Sequence, residues 1–262
     1  MEGIVRCDIG SAPDFVEVAR SYVESHPHLS SQRIAVARQL RLDLDEGFCR
    51  DMADLFDRAP LMVWNDDMAR RYELFKQANL AQYRAIRAAG LDVRPWSGER
   101  GPYADSRDLA RRVRETAVLH VYLTSAGHGP GPATGFHPLR APSGVVEHGV
   151  ELTHNDISRV VHDVFGHVVH GYAFGPRGEF LATRTHLPMY PDDAHPVLLS
   201  EQVGQICWFF HGPHLRVDGR VPARGEPGWT PPSERPYAQQ KVFPLSAWHV
   251  ARFTNLFTEE DR

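Results

Sequence analysis

His162 and His167 stand five residues apart inside an apolar stretch, Asp156-Ile-Ser-Arg-Val-Val-His162-Asp163-Val-Phe-Gly166-His167-Val-Val-His170. Imidazole is the commonest metal ligand among protein side chains, so this pair raises a metal site before anything else. On an ideal α-helix, residues five apart differ by about 140° around the axis and do not share a face. A common ion therefore requires His167 to stand at the helix end or on a local π-bulge, and Gly166 is where such a departure costs least. The i,i+4 histidine spacing of zinc-protease helices is absent. His170, three beyond His167, suits an outward-facing position equally well.

The next two segments add acids and amides. Glu179 and His186, seven apart, share a face of one expected helix, and Glu201 and Gln205, four apart, share a face with Trp208 on another. Carboxylates set in apolar helices are costly unless paired or bound to a metal. The plain alternative is that Glu179 and Glu201 sit on solvated faces or pair with Arg177 and Arg184, and fifteen histidines make a chance pair ordinary. Two histidines and one carboxylate with open positions form the facial triad of non-haem Fe(II) oxygenases. The same donors with one open position are a zinc hydrolase arrangement, in which Glu179 would act as general base on metal-bound water. A two-metal site would need both glutamates.

The run His162-Asp-Val-Phe-Gly166-His167 resembles the H-[DE]-x-[FL]-G-H signature of the pterin-dependent aromatic amino acid hydroxylases. Ile-Cys-Trp208-Phe209 is similar to the tyrosine–tryptophan–phenylalanine segment just before that family's iron-binding glutamate. The resemblance spans residues 150–212. It implies a mainly α catalytic domain, Fe(II) held by two histidines and a glutamate, and O2-dependent hydroxylation, with iron-ligand roles for His162 and His167. Three departures accompany it. The proline that follows the family's Gly-His-x is replaced in Gly166-His167-Val-Val, no glutamate follows Trp208-Phe-Phe-His-Gly, and no pterin-binding segment is recognisable.

The expected metal set is thus His162, His167 and Glu201, with Glu179 the rival third ligand. Glu179, His186 and Gln205 are expected to orient ligands or substrate, and Arg177 or Arg184 to clamp a substrate carboxylate. The reading is a non-haem iron oxygenase whose partners are O2 and a small organic molecule, an aromatic amino acid or a related metabolite. The alternatives are the zinc hydrolase, a haem protein using one of these histidines, and a metal-free helical binding protein.

Helices must position these groups. Ser11-Ala-Pro13-Asp14 reads as a helix start, followed by Phe15, Val18, Ala19, Tyr22 and Val23 at helical spacing. Ile34, Ala37, Leu40 and Leu44 suggest a second helix, and Phe48, Met52, Leu55 and Phe56 a third that ends at Pro60. Asn65 caps a long helix whose buried stripe is Met68, Tyr72, Phe75, Leu80, Tyr83 and Ile86, stopped by Gly90. Residues 95–108 read as a polar connector and residues 118–124 as a short strand. The Gly/Pro-rich loop 125–143 carries His128 and His137 and is long enough to act as a lid. A second such loop, 211–236, precedes a last helix over 242–257. The expected architecture is one mainly α domain over 1–262, with long Gly/Pro-rich loops, at most a small β element, and the site core at 150–212.

Composition narrows the class. The chain has 262 residues, 42% hydrophobic and 24% charged, which is ordinary for a packed protein. A net charge of -4 leaves no electrostatic footprint for nucleic acid. Cys7, Cys49 and Cys207 form neither a CxxC pair nor a disulfide framework. The first residues lack a basic segment followed by an apolar one, and no apolar run approaches the ~20 residues of a membrane span. A cytoplasmic protein without membrane or nucleic-acid partners is expected.

Overall fold

A computed structural model of the chain describes residues 13–27, 29, 40–126 and 136–259. Helix α1 (Phe15–Glu24) is capped by Asp14, whose carboxylate accepts the Val16 and Glu17 N–H groups. Ser11, the first residue of the expected helix start, lies outside the described residues, as do Cys7, Ile34, Ala37, His128 and the middle of the 125–143 loop. The second expected helix gives way at its end to strand β1 (Leu40–Leu42). Leu-Arg-Leu alternates with period two, burying Leu40 and Leu42 and exposing Arg41, which suits a strand.

Helices α2 (Glu46–Arg58) and α3 (Asp66–Ala88) are capped by Asp45 and Asn65 and bury the stripes their periodicity announces except Leu55 and Leu80, which are half-buried. Strand β2 (Asp92–Trp96), helix α4 (Ser106–Thr116) and strand β3 (Val118–Tyr122) follow. Only the two ends of the expected polar connector, residues 95–96 and 106–108, belong to these elements. Helix α4 buries only Ser106, Leu109, Ala110 and Val113, and its arginine-rich remainder masked that short stripe.

Strands β4 (Pro142–Glu147) and β5 (Val150–Thr153) form a hairpin that feeds α5 (His154–His162). Thr153 is the N-cap of α5, and Asp156 returns the bond, completing a capping box. The chain then makes a π-helical turn (Asp163–Val168), α6 (Pro176–His186), α7 (His195–Leu198), a second π-helical turn (Leu199–Gly204) and α8 (Gln205–His211). Helix α9 (Ala247–Thr254) is shorter than the expected 242–257, because Ser246 caps it and Phe257 begins β6 (Phe257–Glu259).

The architecture is mainly α. In place of one small β element, the described residues contain three two-stranded sheets: β1–β6 and β4–β5 antiparallel, β2–β3 parallel. Buried apolar side chains from Phe15 to Phe253 make one contacting cluster. Around it α3 packs on α5, α6 on the first π-helical turn, and α2 on α8. No helix among the described residues is long and apolar enough to cross a membrane.

Candidate metal centre

The first π-helical turn decides the site. Its backbone bonds skip five residues rather than four, as in Val169 N–H to Val164 O at 2.9 Å. An i→i+5 ladder places residues five apart one above the other. His162 and His167 consequently face each other, with ring centroids 4.8 Å apart and Nε2 atoms 3.1 Å apart. Gly166 has an ordinary backbone conformation; its role is proximity. A Cβ there would stand 2.9 Å from Ala182 Cβ on α6. Gly178 works similarly at the start of α6, where a Cβ would fall 1.8 Å from the Ala173 carbonyl oxygen.

These close approaches seat Glu179, in the first turn of α6, against both imidazoles. Oε2 lies 3.0 Å from His162 Nε2, and Oε1 lies 3.5 Å from His167 Nε2. Among the described residues, His162, His167 and Glu179 form the one group of three or more histidine, cysteine or acidic side chains with ligand atoms close enough to hold a metal ion. The separations suit a cation. Ligand atoms about 2.1 Å from a metal are roughly 3.0 Å apart at a right angle and about 3.4 Å apart at the tetrahedral angle. The three observed separations span that range.

Support behind the cluster points the same way. His167 Nδ1 lies 3.0 Å from the Tyr172 carbonyl oxygen and must donate to it, which leaves the Nε2 lone pair aimed at Glu179 and His162. The His167 side chain is 1% exposed, while His162 and Glu179 keep 16% and 17%, so the cluster opens on their side. Phe174, half exposed, lies edge-on to His167 at 4.8 Å.

Electrostatics favour a bound positive charge. Burial alone would raise the Glu179 carboxyl, but the hydrogen bonds and charges of His162 and His167 outweigh it and hold the group well below the ordinary carboxylate range. Burial likewise opposes the His167 imidazolium, yet the hydrogen bond and charge of Glu179 raise its pKa.

The remaining expected site residues lie elsewhere. Glu201, expected as the third ligand, is not in the cluster. It accepts from Tyr72 Oη at 2.6 Å, Gln205 Nε2 at 3.2 Å and Gln240 Nε2 at 3.3 Å. The second π-helical turn, which carries Glu201, turns it toward α3 and away from α6; Gln205 goes with it. His186 is fully buried with its Nε2 2.6 Å from Gln82 Oε1, and burial pushes its pKa well below the usual value. It is a neutral core histidine. Arg177 donates to the Leu42 carbonyl, and Arg184 lies near His195.

Sequence reasoning missed Tyr172, which acts through a backbone carbonyl and so leaves no signature in its side chain. Comparison with protein-family models, with curated proteins and with solved structures returned no match.

Proposed function

We propose that this chain is a non-haem Fe(II)- and O2-dependent oxygenase, with His162, His167 and Glu179 as the iron ligands. The observation that carries the reading is the set of three ligand-atom separations, 3.0, 3.1 and 3.5 Å, on donors of facial-triad type. Iron bound there supplies redox chemistry and open positions for O2 and an organic partner.

The chain's own residues do the rest. Tyr172 fixes the His167 ring and its tautomer, and each Glu179 oxygen faces one imidazole. Phe174 packs edge-on against the His167 ring. The substrate class proposed is a small organic molecule, with aromatic amino acids first because of the resemblance around His162-Asp-Val-Phe-Gly166-His167. A haem suits this cluster poorly, since His162 and Glu179 crowd the Nε2 atom that an iron porphyrin would need.

The further reading is one catalytic domain over 1–262 acting in the cytoplasm, supported by the continuous buried cluster and the free thiols of Cys49 and Cys207. The same donors also fit zinc. The deciding experiment loads the protein with Fe(II) or Zn(II) and follows dissolved oxygen and product mass with aromatic amino acids and a reductant, a tetrahydropterin among them. The oxygenase reading expects oxygen uptake with iron alone. Turnover with zinc that ignores oxygen and adds only water would replace it by the hydrolase.

A further inference from the structure

Helices α2 and α8 pack together along a face that carries Cys49 and Cys207. Cys49 ends the first turn of α2 and Cys207 lies on α8; both are 0% exposed and free. Their thiols hydrogen-bond each other. Three ties hold the helices in this register. A Cβ on Gly204, just before α8, would stand 3.0 Å from the Phe56 ring of α2. Trp208 Nε1 donates to Asp57 Oδ1 at 2.9 Å. Arg216 pairs with Asp54 at 2.7 Å while donating to the His211 carbonyl. His211 stands one turn beyond Cys207 and reaches Cys49 with a side-chain hydrogen bond. The two thiols are therefore unequal. The Cys207 hydrogen bond, and after it the hydrogen bond and charge of His211, bring Cys49 down to about 6 against burial and the Asp45 charge. Burial pushes Cys207 up. The N-terminal turn of a helix also favours a thiolate at Cys49.

We propose that Cys49 and Cys207 are a dithiol site oxidised by hydrogen peroxide, with Cys49 as nucleophile, Cys207 as resolving thiol and His211 holding the Cys49 proton. The Cys49 thiol passes its proton to His211, and the thiolate sulfur attacks one peroxide oxygen. The O–O bond breaks, and the leaving hydroxide takes the proton from His211 to become water. Cys49 is then a sulfenic acid. The Cys207 sulfur next attacks the Cys49 sulfur. The S–O bond breaks, and the departing hydroxide leaves as water with the Cys207 proton. The two thiols have given two electrons to one peroxide, which ends as two water molecules, and a disulfide joins α2 to α8. Burial selects the oxidant. Hydrogen peroxide, little larger than water, reaches such a position through local openings too small for a bulky aromatic disulfide. The inference stands on this helix pair alone and needs no metal at His162.

The test treats the full chain, stripped of metal by chelator, with hydrogen peroxide, then unfolds it, alkylates it and maps its linked peptides by mass. A peptide pair joining Cys49 to Cys207 is expected, with the loss of two hydrogens per chain and full reversal by dithiothreitol. Ellman's reagent, offered to the folded protein instead, should leave both thiols unmodified. In Cys207→Ser, Cys49 should stop at a sulfenic acid that dimedone traps; in Cys49→Ser, Cys207 should remain a thiol. His211→Gln should slow the trapping in the Cys207→Ser background about 2- to 10-fold at about pH 7, and much less at about pH 9, where the thiolate forms unaided. Circular dichroism confirms that each variant is folded, and the linked peptide from the native chain decides the matter even where a variant is not. Peroxide that leaves both cysteines as thiols, or that links either of them to Cys7 or to a second chain, overturns the site. Oxidation of Cys207 in Cys49→Ser at the native rate, or a His211→Gln rate equal to its parent's at about pH 7, overturns the roles assigned. With the metal removed, none of these outcomes depends on the iron reading.

Discussion

His162 Nε2 and Glu179 Oε2 lie 3.0 Å apart across seventeen residues of chain and between two different helices. Two backbone features bring them together. The π-helical turn at Asp163–Val168 swings His167 beneath His162, and the missing side chain at Gly166 lets α6 come close enough for Glu179 to face both rings. The site follows from that geometry.

The third ligand is therefore expected to be Glu179. Glu179→Ala should lose stoichiometric metal, whereas Glu201→Ala should keep it, since Glu201 is occupied with Tyr72, Gln205 and Gln240. Metal analysis of the two variants side by side checks this. Retention by Glu179→Ala with loss by Glu201→Ala would return the role to Glu201.

Gly166→Ala places a methyl group 2.9 Å from Ala182 Cβ, inside contact distance, and must push the π-helical turn away from α6. Overpacking of this kind costs about 1–3 kcal/mol, and here it should also weaken metal binding by moving Glu179. Adding Ala182→Gly should restore part of both. Denaturant unfolding and metal titration of the single and double variants measure the coupling; simple additivity would show that the two positions do not meet.

Acid should destabilise the fold between about pH 6.5 and about pH 4. His186 is buried and its pKa lies well below the usual value, while burial pushes His170 down to about 4. In the unfolded chain both titrate near 6.5. Inside that window the unfolded state binds more protons, so stability rises with pH and levels off above it. Glu179, held low, acts only below about pH 4.5, and His167, raised, acts above about 6.5. Urea midpoints at pH 7 and pH 5 should differ less in His170→Gln than in the native chain. An unchanged difference would contradict the assignment.

Some of this was open to the sequence. Five-residue spacing cannot serve one ion on an ideal helix, so His162 and His167 demanded a local departure, and Gly166 marked where. The helices α2 and α3 were readable because their apolar residues recur at 3.6 and their caps are Asp45 and Asn65. The choice between Glu179 and Glu201 was not readable. It depends on how two helices are rotated by a second π-helical turn and on the approach of Gly166 to Ala182, neither of which has a local sequence signature. His186 shares a helix face with Glu179, yet ends beside Gln82, contributed by α3 from about a hundred positions earlier. The Leu40–Leu42 strand was read as helix because its partner, β6, lies at the other end of the chain.

The central claim is that His162, His167 and Glu179 hold one redox metal. It is tested most directly by measuring iron in protein purified without oxygen, loaded with Fe(II) and desalted. The account predicts about one iron per chain, and none in the His162→Ala/His167→Ala double variant, with helical circular dichroism preserved in both. Full iron occupancy in that double variant, or a native chain that retains no divalent metal at all, would contradict it.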